Sequence, residues 1–333
     1  MLEERVFELI KRENLIEEKD KVVLGVSGGP DSIAMFFCLY KLSKTLGFEI
    51  FVAHINHGIR EEATDDEQYV ENWCQKFCVP FFVLHSKVEE LAKQQKLGVE
   101  ETGRKVRYDF FDEVCGKVGA NKIAIAHNKN DNAETVIMNI LRGSGSKGLG
   151  GIKAKQGKYI RPLIECSRDE IEEYCEQEKL EPRIDKTNFE NEYTRNKIRN
   201  IVIPYIQEEF NPNIVNGLAR LSEIMQEQEE YIQGEAEKQY KNIVIEEIKS
   251  GENEYNSIML DLKKFNSLPK LIEKKIILEA VQKLFGTTKK IEKVHLEDIL
   301  KLCNNNIGNK YLTPNQNLKI VIKNKQIHIN KVK

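Results

Sequence analysis

Residues 22–35 of the chain read VVLGVSGGPDSIAM. A short apolar run stops at Ser27-Gly28-Gly29-Pro30-Asp31-Ser32, and apolar residues at helical spacing follow. Two glycine N–H groups, the hydroxyls of Ser27 and Ser32 and a helix start are groups that hold phosphate oxygens. The usual phosphate loop, G-x-x-x-x-G-K-S/T, clamps its anion with a lysine. This loop carries Asp31 instead, which repels phosphate unless a cation lies between them. A helix end contributes only about 0.3–2 kcal/mol, too little to hold a polyphosphate beside a carboxylate. A bound Mg2+ taking oxygens from Asp31 and from phosphate removes the conflict. The loop asks for a metal-bound pyrophosphate.

Two further polar clusters follow short apolar runs. HINHGIR brings His54, Asn56, His57 and Arg60, and HNKNDNAET brings His127, Asn130, Asp131 and Glu134. The runs themselves, 21–26, 50–54, 81–85 and 122–126, are strand-like and separated by amphipathic stretches, some with start signals at Thr64–Glu67 and Ser167–Glu170. Alternation of this kind predicts βαβ units and a parallel sheet covered on both faces, an α/β doubly wound fold. In such a sheet the carboxyl ends of all strands share one edge, where ligands bind. Three polar clusters on one edge are hard to explain as packing.

The pattern changes near Pro204. After Asn211-Pro212, an N-cap followed by proline, apolar residues from Val215 to Ile232 recur at helical spacing in a glutamate-rich stretch. A second helix is expected over 271–285, and NLKIVIKNKQIHINK alternates like a hairpin. With 333 residues, the chain is too long for one ordinary core. We expect a catalytic domain over 1–210 and a smaller, mainly helical accessory domain over 211–333 ending in that hairpin.

Charge narrows the partner. The net charge of −2 says nothing by itself, but 142–163 holds six basic residues, among them Arg142 and Lys147, and no acidic one. Residues 301–333 hold seven lysines and no acid, whereas 222–254 carry ten glutamates and three lysines. Basic segments set against an acidic one suggest a polyanion touching selected surfaces, with a merely solvated tail the other reading of the second segment. The charged N-terminus lacks the apolar core of a secretory signal, no stretch is long enough to span a membrane, and seven scattered cysteines fit free thiols. These features predict a cytoplasmic protein.

Two decoys fail. Gly143–Gly148 fits G-x-G-x-x-G but follows a helical stretch instead of a strand. His54 and His57 lack thiol or carboxylate partners at zinc spacing. Arg104 and Arg107, three apart on one helical face, could meet phosphate or pair with Glu100 and Glu101.

Ser27-Gly28-Gly29-x-Asp31-Ser32 resembles the PP-loop of the ATP pyrophosphatase superfamily, which cleaves ATP to AMP and pyrophosphate. With it, HINHGIR, VEETGRKVRYDFF, AHNKNDNAET, RGSGSKGLGGI, RPLIECSRDEI and DKTNFENEYTRNKIRNIVIP, in this order, resemble the tRNA(Ile)-lysidine synthetase family over roughly residues 20–205. The resemblance implies attachment of L-lysine to carbon 2 of the wobble cytidine of a tRNA(Ile) with a CAU anticodon. ATP adenylates the carbonyl oxygen, pyrophosphate leaves, and the lysine amine then displaces AMP. It also implies site residues. Ser27, Gly28, Gly29, Pro30, Asp31, Ser32 and His54 would bind ATP, and Asp31 and Asp131 would hold Mg2+. Arg104 and His127 would stabilise the transferring phosphoryl group, and Arg195 and Arg199 would face tRNA, where the charge of the basic stretch also places Arg142 and Lys147. Glu100 and Glu101 would take the lysine ammonium.

The chain departs from that pattern where Asn130-Asp131 replaces two aspartates and Lys197 replaces an arginine. Longer members of the family carry a further C-terminal domain. A PP-loop tRNA thiolase is the enzymatic alternative, disfavoured because no C-x-x-C exists; an inactive tRNA-binding module is disfavoured by intact Asp31, His127 and Asp131. The oligomeric state stays open, a homodimer being one option.

Overall fold

The computed structural model describes residues 2–56, 63–183, 193–249, 251, 255–288, 291–305, 311–315 and 317–332, with the backbone alone at 63, 100 and 315. His57 and Arg60 lie outside the described residues. The chain divides into two compact units, 1–226 and 227–333. The division falls inside one helix, Ile214–Ile243, sixteen residues beyond the boundary expected at residue 210 (226 − 210).

The first unit is built on strands β1 (Lys21–Gly25), β2 (Glu49–Asn56), β3 (Phe81–His85), β4 (Lys122–Ile125), β5 (Lys155–Gln156) and β6 (Tyr159–Ile160), in the order β3-β2-β1-β4-β6-β5. All pairings are parallel except that of β5 with β6. Successive residues of β1 serve opposite faces, as the period of two requires. Val22 and Leu24 join a core with Ile33 and Leu39 of helix α2 (Pro30–Leu46), after α1 (Leu2–Arg12). Val23 joins a second core with Phe110 and Phe111. Those rings belong to α5 (Val99–Val118), which follows α3 (Ala63–Phe77) and α4 (Val88–Gln95). The sheet is therefore covered on both faces, as its continuous apolar strands demand.

Sheet order positions the site. The chain steps outward from β1 through β2 to β3, then returns to lay β4 on the other side of β1. A crevice opens at this reversal, beyond the carboxyl ends of β1 and β4. Loop 26–29 leaves β1 there and enters α2, where Gly29 precedes Pro30 at the first helical turn. Gly28 has φ +95°, a conformation that side chains disfavour. Across the crevice, β4 runs into α6 (Lys129–Leu141).

After α6 come α7 (Ser146–Leu149), α8 (Arg168–Gln177), α9 (Thr194–Lys197), a π-helical turn (Ile198–Val202) and α10 (Ile203–Glu209). The expected capping box stands at Ser167/Glu170. That at Thr64 does not, because α3 already includes Ala63. Gly143–Gly148 does follow a helix.

The 30-residue helix α11 (Ile214–Ile243) leads into the second unit. There α12 (Leu262–Phe265), α13 (Lys270–Phe285) and α14 (Lys293–Asn304) accompany a five-stranded antiparallel sheet. Its strands are β7 (Val244–Lys249), β8 (Tyr255–Asp261), β9 (Tyr311–Asn315), β10 (Leu318–Lys323) and β11 (Gln326–Lys331), in the order β7-β8-β11-β10-β9. The expected hairpin is β10–β11, turned by Asn324 and Lys325 with φ 54° and 59°. Ile276, Ile277 and Ala280 of α13 share one core with Ile320, Ile322, Ile327 and Ile329.

Gly25 closes β1 because nothing larger fits: a Cβ there would lie 2.5 Å from Cζ of Phe111. Gly25→Ala is expected to destabilise the first unit by about 1–3 kcal/mol, the usual cost of overpacking. Phe111→Leu should recover part of that loss in the double variant. Equal urea midpoints for Gly25→Ala and the parent would refute the close approach.

Candidate active site

The loop after β1 folds around one hydroxyl. Ser32 Oγ accepts from the N–H groups of Ser27 (3.1 Å) and Gly28 (3.2 Å), donates to the Gly29 carbonyl (3.0 Å) and lies 3.2 Å from Ser27 Oγ. Arg183 closes over the loop, its backbone N–H donating to the Gly28 carbonyl at 3.0 Å and its Nε to Asp66 at 3.2 Å. Gly29, Pro30, Asp31, His54, His127 and Arg199 are among the residues lining one cavity of about 960 Å3. Asn56 and Arg107 line it too.

Asn128 joins the two loops across the crevice. Its Oδ1 accepts from the Asp131 N–H (2.9 Å), and its own N–H donates to Asp131 Oδ2 (3.1 Å), the two halves of a capping box. Its Nδ2 donates to Asp31 Oδ1 at 2.8 Å. Burial, and then the neighbouring Asp131, raise the carboxyl of Asp31 above the usual range, while Asn128, Arg168 and Arg199 pull the other way. Arg168, at the start of α8, donates its N–H to Asn130 and pairs with Glu172 at 2.8 Å.

Asp131 and Glu134 meet two arginines. Arg195 and Arg199 each place an Nη2 3.0 Å from Asp131 Oδ1. Their Nε groups reach Glu134 at 2.7 and 2.5 Å. The Glu134 side chain is 1% exposed and those of the arginines about a quarter. Arg195 and Arg199 are four apart, and the π-helical turn that begins at Ile198 carries the second of them. Pro204, with no N–H to offer the preceding turn, stands two residues beyond its end at Val202. Arg195 and Arg199, two of the residues expected to face tRNA, are thus engaged with carboxylates. Arg142 and Lys147, by contrast, are exposed.

Both cavity histidines have lowered pKa values. His54, 2% exposed, donates from Nδ1 to the Val26 carbonyl at 2.8 Å, and burial lowers its pKa. Burial also drives His127 down to about 4; Asp131 opposes this, while Arg161, Arg195 and Arg104 add to it. Arg104 itself is exposed and stacks on Tyr108, 5.0 Å from the ring centroid. Glu101 is exposed, and the side chain of Glu100 lies outside what is described.

Asn128, Arg161 and Arg183 are site residues that the sequence reading does not name as such, whereas Glu134 and Arg107 stand in its polar and basic clusters without an assigned role. Asn128-x-x-Asp131 before an apolar helix is a capping pattern that could have been read. The arginines carry no such local signal.

The donor set at Asp31 fits a Mg2+ ion. Hard carboxylate oxygen is the right ligand, and a buried acid raised by a second acid is what a divalent cation relieves. Asp131 has both oxygens engaged by Arg195, Arg199 and the Asn128 N–H, so Asp31 is the freer of the two. Thiols offer nothing comparable. Cys38, Cys74, Cys115, Cys166, Cys175 and Cys303 are buried with raised pKa values, and among the described residues no group of three or more His, Cys, Asp or Glu could hold a metal.

An open parallel sheet with a lysine-free phosphate loop at its switch point defines an ATP-binding PP-loop protein, and the model of the PP-loop domain matches residues 2–206. The tRNA(Ile)-lysidine synthase of Clostridioides difficile is 41% identical over 96% of this chain and 68% of its own length. That of Caldanaerobacter subterraneus subsp. tengcongensis is 42% identical over 93% and 65%. The chain spans about two thirds of the length of these relatives. A U34-tRNA thiolase from Methanococcus maripaludis superposes with a TM-score of 0.55 at 23% identity, over 67% of this chain and 78% of that one, a likeness of fold alone. The chain belongs to the tRNA(Ile)-lysidine synthase family of PP-loop proteins.

The histidine environment gives a pH prediction. Because the His127 pKa lies below the ordinary 6.5, protonation favours unfolding. Its contribution to stability is complete above about pH 6.5 and is lost as pH falls toward 4. In 15N-histidine spectra, the His127 ring should stay neutral from pH 8 down to pH 5. A midpoint near 6.5 would contradict the buried, arginine-flanked environment.

Proposed function

We propose that the chain ligates L-lysine to carbon 2 of the wobble cytidine of tRNA(Ile) with a CAU anticodon, through an adenylated cytidine, releasing AMP and pyrophosphate. The observation that carries this reading is the juxtaposition across one crevice of the Ser27–Ser32 loop with His127 and the Asp131/Glu134–Arg195/Arg199 cluster. Family membership supports tRNA as substrate and ATP as the energy source. No described helix is long and apolar enough to cross a membrane, which accords with the cytoplasmic setting we propose.

In this reading the N–H groups and hydroxyls of Ser27, Gly28, Gly29 and Ser32 take phosphate oxygens, with Pro30 fixing the helix entry. Asp31, assisted by Asp131, would hold Mg2+, which would supply charge neutralisation for the leaving pyrophosphate. His54 lies beside the nucleotide. His127 donates from its ring to a phosphoryl oxygen, and Arg104 adds positive charge nearby. Fixed donors aimed at developing charge are typically worth about 10²–10³ in rate each. For the lysine ammonium, Glu100 and Glu101 stay candidates. Arg195 and Arg199 hold Asp131 and Glu134 in place, and a role at tRNA is second to that one. Arg142 and Lys147 supply the phosphate contacts. A thiolase reading is disfavoured because burial raises the pKa of six of the seven thiols, all but the exposed Cys78.

ATP–pyrophosphate exchange tests the adenylation half. It should require tRNA(Ile) and fall at least about a hundredfold in Asp31→Asn, with the fold unchanged by circular dichroism. Exchange at the parent rate in that variant would remove Asp31 from the reaction.

Salt dependence tests the RNA surface. Each phosphate contact contributes roughly one unit to the slope of log affinity against log salt. Arg142→Ala with Lys147→Ala should flatten that slope by about one to two units and leave ATP binding intact. An unchanged slope would place the tRNA elsewhere.

A further inference from the structure

Arg161 is the buried cation that the proposed function leaves without a task. It is 4% exposed, and among the described residues no carboxylate pairs with it. Instead its Nη1 donates to the Lys153 carbonyl at 2.7 Å and its Nη2 to Gln156 Oε1 at 3.4 Å. These bonds leave Nε aimed at Nδ1 of His127, 3.3 Å away. A guanidinium has no acceptor and does not surrender its protons in a protein. Nδ1 must therefore be the acceptor, and a neutral ring then carries its proton on Nε2. His127 lines the cavity, and among the described residues no protein group bonds to its Nε2. Its N–H is free to meet a ligand.

We infer that Arg161 is a positioning residue that fixes His127 as the Nε2–H tautomer, so that the ring presents a permanent hydrogen-bond donor to the phosphoryl group. This inference rests on the proposed role of His127 toward ATP. Position in the fold supports it. Arg161 directly follows β6, which pairs with β4, and His127 lies just beyond the end of β4. The donor and its acceptor are thus held by neighbouring strands of one sheet. A buried guanidinium is costly unless its hydrogen bonds are made, and spending one of them on a histidine lone pair is a poor choice for stability alone. It resembles the outer partners that set which ring nitrogen of a metal-ligating histidine bears the proton.

The tautomer is read directly in the full chain labelled with 15N-histidine, without ATP or tRNA, so its failure is separate from failure of the proposed function. The parent should show His127 with a proton-free Nδ1 and a protonated Nε2. A protonated Nδ1 at neutral pH would overturn the inference. Arg161→Met should yield a mixture of tautomers. It should also lower the kcat of tRNA-dependent adenylation by about ten- to a hundredfold, the usual loss on removing such a partner, with KM for ATP nearly unchanged. Arg161→Lys, which restores a cationic donor, should recover the tautomer and most of the rate; recovery of neither would count against the inference. Glutamine has no tautomers, so in a His127→Gln background Arg161→Met should cost little more. An equal loss in both backgrounds would show that Arg161 acts on the fold and not through the ring. If Arg161→Met does not fold, the parent spectrum and Arg161→Lys still decide.

Discussion

Two carboxylates, Asp131 and Glu134, stand on the first turns of one helix behind the ATP crevice that Asp31, His127 and Arg199 line, and the site depends on holding them there. Glu134 is almost without solvent, so its charge must be met by protein. Arg195 and Arg199 meet it, each bridging to Asp131 as well. Removing one side of such a buried pair typically costs about 3–5 kcal/mol, because the other charge is left behind. The cluster therefore binds α9 and the π-helical turn to α6 and fixes the wall of the cavity opposite the phosphate loop. Asn128 carries the constraint across the crevice, with one side-chain atom on Asp131 and the other on Asp31.

This arrangement divides labour between charge and neutrality. Burial above all, with the positive charge of Arg161, Arg195 and Arg104 adding to it, lowers the pKa of His127 and favours the uncharged imidazole. A neutral donor can bond to an anionic oxygen throughout a reaction without giving up its proton. Asp31 faces the opposite pressure, since burial and Asp131 both oppose its ionisation. A phosphate brought in with a divalent cation relieves that pressure, whereas phosphate alone increases it. The missing lysine of the loop is thus consistent with the rest of the crevice.

Much of the fold was legible because its signals are local. Val22–Val26 and Lys122–Ala126 announce buried strands by composition, and Gly28-Gly29-Pro30 announces the turn between strand and helix. The shared strand edge then follows from parallel topology, so Asp31, His54, His127 and Asp131 were found together. What escaped depends on contacts distant in sequence. Arg195 and Arg199 read as an exposed basic pair, because nothing nearby in sequence shows that Glu134, some sixty residues earlier, lies between them. Arg161 read as one charge among six in a basic stretch, and only the pairing of β4 with β6 brings it to His127. In the second unit, β7 and β8 lie between Ile232 and residue 271, where the sequence reading assigns no element. The hairpin next to them was plain from its alternation.

The central claim is that the crevice activates a cytidine for attack by lysine. Nucleoside mass analysis of tRNA(Ile) transcript, after incubation with the chain, ATP, Mg2+ and L-lysine, tests it most directly. The account predicts that the wobble cytidine gains the mass of lysine less one water, with AMP and pyrophosphate formed in equal amounts. An unmodified cytidine despite ATP consumption, or an exchange of oxygen for sulfur on supplying a sulfur donor, would contradict it.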